Sequence, residues 1–120
     1  MRIKNRPFHE RIGFALAGLR TGFARERSFR TQASFAVAAL LVLLALQPAP
    51  VWWALVALVS ALVLALELLN SAIECVIDLL HPGFHDEIKA AKDMIAGAVL
   101  MVSGAAVAIA IGLAVESVKS

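Results

Sequence analysis

The chain has 120 residues, 61% of them hydrophobic and 17% charged, with a mean hydropathy of +0.84. A soluble domain is about half apolar and about a quarter charged, so the composition argues against an ordinary water-soluble fold and for a multi-spanning membrane protein. Four Pro and seven Gly exclude collagen-like repeats and extended disorder, and a lone Cys75 excludes an intrachain disulfide.

The formal net charge is +2, but its distribution says more. Eight of the eleven Lys and Arg lie in residues 1–32, and no charge occurs from Thr31 to Leu66. Basic residues flanking a long apolar run are a topology signal rather than a nucleic-acid surface, so no nucleic-acid partner is expected. The apolar run follows thirty polar-rich residues without a convincing cleavage site, so a removable signal peptide is not expected.

In chain order, Pro7 suits the first turn of a helix over about residues 8–27. Phe8, Ile12, Leu16, Leu19 and Phe23 recur at steps of three or four and gather on one face. Such a helix lies in the membrane surface, since no soluble domain remains for it to cover. A first crossing is expected over about 31–47, ending where Gln47-Pro48-Ala49-Pro50 prevents continuation. A second runs over 51–70 and continues to about 80, with Trp52 and Trp53 as interfacial anchors and His81-Pro82-Gly83 as its stop. The third is the uncharged stretch 94–115, where Gly104, Ala108 and Gly112 either permit close helix approach or reflect plain Ala and Gly abundance. The expected fold is therefore all-α: an amphipathic surface helix and three transmembrane helices in one domain. The positive-inside bias places residues 1–32 and the loop around 81–92 in the cytoplasm, with the Pro48/Pro50 turn outside.

Glu67, Asn70, Ser71, Glu74 and Asp78 fall within an arc of roughly 100° on one helix face. Ionisable groups at membrane depth are costly and usually face a protein interior, a partner or a water-filled site. Hard oxygen ligands of this kind suit Mg²⁺, which keeps several waters and shares substrate phosphates. The alternative is that the carboxylates mark the helix's emergence into water, and it stays open most for Asp78. Lys92 and Asp93 form a second cluster; Lys92 suits a phosphate as a point charge, or it is a stop-transfer charge. Neither a GxxxxGK[ST] nor a GxGxxG loop is present. His81 and His85 lack the partners of a metal site and read as a solvated loop, and Cys75 reads as a small apolar residue.

The block Glu67-Leu68-Leu69-Asn70-Ser71-Ala72-Ile73-Glu74 and the Ala91-Lys92-Asp93 block stand at a specific separation. Upstream come Gly18-Leu19-Arg20, Glu26 and Phe29-Arg30. Together they resemble the bacterial integral-membrane diacylglycerol kinase family, which also contains the undecaprenol kinases, over roughly residues 8–112. The resemblance implies a homotrimer in the cytoplasmic (inner) membrane of a bacterium, with its N-terminus cytoplasmic and its active sites shared between subunits. It implies MgATP as phosphoryl donor and a lipid hydroxyl as acceptor. Glu67 would be the catalytic base, at the lipid. Glu26 and Glu74 would hold the metal ions beside the nucleotide, while Asn70, His85, Lys92 and Asp93 would contact the nucleotide. Arg20 would lie near the lipid. Residues 27–32 resemble the diacylglycerol branch. The Leu80–His85 loop and Ala96-Gly97-Ala98 resemble the polyprenol branch, and Gln32 departs from the carboxylate often found there. Diacylglycerol is the favoured acceptor and undecaprenol the alternative. From other classes, a small proton-coupled transporter or channel built on Glu67, or a non-catalytic scaffold, would also use these helices.

Overall fold

The computed structural model describes residues 2–119. After a single 3-10 turn at Ile3–Asn5 come four helices: α1 (Phe8–Arg25), α2 (Arg27–Leu46), α3 (Pro50–Leu80) and α4 (Asp86–Lys119). Each of the last three is long and apolar enough to cross a membrane. At about 1.5 Å per residue, α2 matches a hydrocarbon core of about 30 Å, whereas α3 and α4 overshoot it by several turns. The surplus carries the charges: Glu74 and Asp78 near the end of α3, and Lys89, Lys92 and Asp93 near the start of α4. α4 begins two turns before the apolar run at Met94, because nothing between Asp86 and Asp93 breaks a helix.

The helix ends follow local chemistry. Gln47 closes α2 in the left-handed conformation (φ 47°), its amide bonding Leu43 O at 2.8 Å and its side chain donating to Leu44 O at 3.0 Å. Two otherwise orphaned carbonyls are thereby satisfied. Pro50 then opens α3 where its missing N–H costs nothing. Thr31 and Ser34 donate to the carbonyls one turn back, at 3.1 and 2.9 Å, so neither hydroxyl is stranded in an apolar helix.

α3 is the organising helix. It packs most extensively along α4, next against α2, and touches α1 near the end of that helix. Trp52 fits against Gly112, where an added Cβ would stand 2.9 Å from the indole ring. Gly104, two stripe positions away, has open space instead. Among the described residues the buried apolar set is only Phe29, Leu43, Val59, Val63 and Leu113. Large side chains along α2, α3 and α4 face outward, as they do where lipid or another copy, rather than the chain's own interior, covers them. Phe8, Ile12, Leu16, Leu19 and Phe23 of α1 are all exposed.

Candidate active site

Glu67 is the only buried charged residue among those described, at 6% exposure. It lies one turn beyond Val63, which helps line an open apolar groove of about 560 Å³ between α2, α3 and α4. No Lys, Arg or His stands within ion-pair distance of it among the described residues. A carboxylate enclosed in this way usually faces a protein interior, a partner or a bound group rather than lipid.

Asn70, Ser71 and Glu74 continue the same stripe and are half-buried. Below them Asp78 holds Lys92: Nζ donates to Oδ1 at 2.9 Å across the turn between α3 and α4. Asp78 is also exposed, as a helix emerging into water would leave it. Lys89 pairs with Asp93 at 2.7 Å on the next face of α4. The Lys92 and Asp93 side chains are therefore each engaged by a neighbour near the start of α4.

His85 accepts a hydrogen bond at Nδ1 from the Glu87 amide at 3.1 Å, which caps the exposed start of α4. Its ring meets that of His81 edge-on at 5.9 Å. The cap ties the loop that carries His85 to the helix that carries Lys92.

Glu26 is the one non-helical residue between α1 and α2, in extended conformation at φ −110° and ψ 111°. It lines a cleft of about 700 Å³ between the end of α1 and α3, together with Arg25, Leu68, Ser71 and Cys75. Glu74 is not among the residues lining that cleft, so one protomer does not bring Glu26 and Glu74 together there. Arg20 is exposed and lines neither cavity. Ser71 and Cys75 reach the Glu26 cleft without having been singled out as ligands; their positions one and two turns beyond Glu67 were the available signal.

Among the described residues no three His, Cys, Asp or Glu side chains gather as a metal cage. A closed structural zinc site is therefore a poor fit. Glu26 and Glu74, where brought together, would offer the one or two carboxylates through which Mg²⁺ binds, water and phosphate completing its shell.

Comparison with known proteins finds related chains. A protein named diacylglycerol kinase from Synechocystis sp. is 42% identical over 95 residues, covering 78% of this chain and 54% of its own length. A protein named undecaprenol kinase from Bacillus subtilis is 39% identical over 74 residues, covering 62% of this chain and 60% of its own length. The matched region thus spans less than two thirds of either relative. The family described as prokaryotic diacylglycerol kinase matches residues 13–114, nearly the whole chain, and the protein belongs to that family.

Proposed function

We propose that the protein is an ATP- and Mg²⁺-dependent lipid kinase whose acceptor is diacylglycerol, giving phosphatidic acid. The observation that carries this reading is the buried, unpaired Glu67, set one turn from an apolar groove at membrane depth. A water-soluble acceptor needs no such groove, whereas a lipid hydroxyl held there by its chains arrives at the carboxylate.

In the reaction, Glu67 takes the proton of the acceptor hydroxyl as its oxygen attacks the γ-phosphorus of ATP. A new oxygen–phosphorus bond forms while the bond to the bridging oxygen of ADP breaks, and ADP leaves. Lys92 exchanges its Asp78 partner for phosphate oxygens and offsets their charge. Asn70 and Asp93 orient the nucleotide from the two facing helices, and His85 holds the loop beside it. Glu26 and Glu74 would hold Mg²⁺, which when bound supplies charge neutralisation at the phosphates. In this reading the site is completed between subunits of a homotrimer, one supplying Glu26 and its neighbour Glu74; the absence of Glu74 from the cleft that Glu26 lines supports it. Residues 2–32 face the cytoplasm of a bacterial inner membrane, where ATP is available.

A second acceptor, undecaprenol, is favoured by one specific observation, the 39% identity to a protein named undecaprenol kinase. The test is transfer of labelled phosphate from ATP with Mg²⁺ in mixed micelles offering both lipids. Labelled phosphatidic acid is the expected product, and labelled undecaprenyl phosphate would reassign the acceptor. Transfer to neither by folded protein would overturn the kinase reading and leave a transporter built on Glu67.

A further inference from the structure

The join between α1 and α2 is only one residue long. In an unbroken helix the amides of residues 27 and 28 would bond the carbonyls of Phe23 and Ala24. The extended conformation of Glu26 interrupts that pattern, and the last three carbonyls of α1, those of Phe23, Ala24 and Arg25, need other donors. The Glu26 amide itself still bonds Gly22 O at 2.9 Å. Two of these three are taken by one side chain: Arg30 Nη1 donates to Phe23 O at 2.8 Å and to Ala24 O at 3.2 Å.

Arg30 therefore grips the elbow from both sides. Its backbone amide bonds Glu26 O at 3.2 Å, in the first turn of α2, while its guanidinium closes α1. A fixed cation at this point also meets the negative end of the α1 dipole. Apolar contacts complete the joint. Phe29 is buried at 5% exposure, and Gly22 leaves the notch that Leu68 of α3 enters, where any Cβ would collide with the leucine. Leu68 adjoins Glu67 in the chain, so the elbow is keyed to the helix that carries the proposed base.

We propose that Arg30 is a positioning residue for Glu26: by supplying the donors that the helix break removes, it fixes the angle between α1 and α2 and so aims the Glu26 carboxylate. The role needs no contact with substrate. It rests on the reading of Glu26 as a carboxylate that works beside the nucleotide.

The test uses the full chain in detergent micelles, in a Cys75→Ser background, with spin labels at exposed positions Arg11 on α1 and Leu40 on α2. Labelled subunits are diluted with unlabelled ones so that only distances within one chain are read. Arg30→Gln is expected to broaden and shift the distance distribution. Arg30→Lys, which keeps a cation with several donors but on a shorter reach, is expected to shift it less in the same direction. In parallel, Arg30→Gln is expected to raise the Mg²⁺ needed for half-maximal transfer about tenfold, the cost usual when a group supporting a ligand is lost. The KM for lipid should not follow. An unchanged distance distribution in Arg30→Gln would overturn the proposal, and so would a shifted one with wild-type Mg²⁺ dependence. Should Arg30→Gln not fold, by helical content and elution volume, Arg30→Lys decides the matter alone, and an unmoved elbow there overturns it. If Glu26→Gln keeps wild-type Mg²⁺ dependence, the reading of Glu26 fails instead, and the distances still decide whether Arg30 holds the elbow.

Discussion

The Lys92 ammonium lies 2.9 Å from Asp78 Oδ1, so the last turns of α3 and the first turns of α4 are clasped fourteen residues apart in the chain. The pair is solvent-exposed, at 65% for Asp78 and 35% for Lys92, and an ion pair of that kind contributes at most about 1 kcal/mol to stability. Its value is positional. Lys92 is held in place rather than left to sample solvent, and under the proposed function a phosphate would take it over.

That arrangement separates the two partners in a kinetic assay. Lys92→Ala is expected to lower kcat/KM by about 10²–10³, the loss typical when one charge-stabilising donor is removed from a transition state. Asp78→Asn is expected to act mainly on KM for ATP, by less than about tenfold, since it removes only the resting partner of Lys92. Steady-state transfer rates over a range of ATP concentrations check both. Equal losses in kcat for the two variants would mean that Asp78 works in the reaction itself.

Glu67 sets a different balance. As an unpaired carboxylate at 6% exposure it is a charge held where water is scarce. Glu67→Gln keeps the shape and removes the charge, so kcat should fall by about 10²–10⁴ while substrate KM values stay near wild type. The thermal midpoint in detergent should hold or rise, because a buried charge without a partner is a liability to the fold. A variant that loses both activity and stability would point to a structural role for the carboxylate.

Much of this was legible in the sequence for one reason: uncharged apolar runs bounded by Pro, Gly and charge clusters report helices that lipid must cover. The turns at Pro48–Pro50 and His81–Gly83 are written in residues that cannot continue a helix, and the stripe from Glu67 to Asp78 follows from helical spacing alone. The start of α4 at Asp86 was hidden, because a helix that leaves the membrane loses its apolar signature before it loses its hydrogen bonds. The break at Glu26 was hidden more deeply. Arg25, Glu26 and Arg27 are each competent in a helix, and the interruption is held by Arg30 and by the Gly22 notch for Leu68, contacts made across turns and between helices. Likewise no spacing rule pairs residue 78 with residue 92; α3 and α4 must first pack.

The small-residue stripe of α4 yields a prediction in which its members differ. Gly112→Val would press a branched side chain into the Trp52 ring, already 2.9 Å from an added Cβ, and is expected to cost about 1–3 kcal/mol. Gly104→Ala meets open space and is expected to change stability by less than about 0.5 kcal/mol. Thermal unfolding in one detergent at fixed lipid content compares them. A larger loss at Gly104 would place that glycine against another copy of the chain.

Glu26 lines a cleft that Glu74 does not, and this leads to the most discriminating test of assembly. If each site draws Glu74 from one subunit and Glu26 from its neighbour, Glu26→Gln and Glu74→Gln are each inactive alone, yet complement each other. In an equal random mixture about one quarter of the sites would receive both intact carboxylates, because each is supplied with a probability of about one half and the subunits are equivalent by symmetry. Subunits exchanged in denaturant and refolded into micelles should therefore recover about a quarter of wild-type transfer, whereas mixing folded oligomers without exchange should recover none. Cross-linking verifies that the oligomers are mixed. Absence of recovery in such oligomers would require Glu26 and Glu74 to serve the same chain's site. The cleft lined by Glu26, Ser71 and Cys75 would then have to close onto the face of α3 that carries Glu74, by a rotation of α1 about the Arg30 elbow.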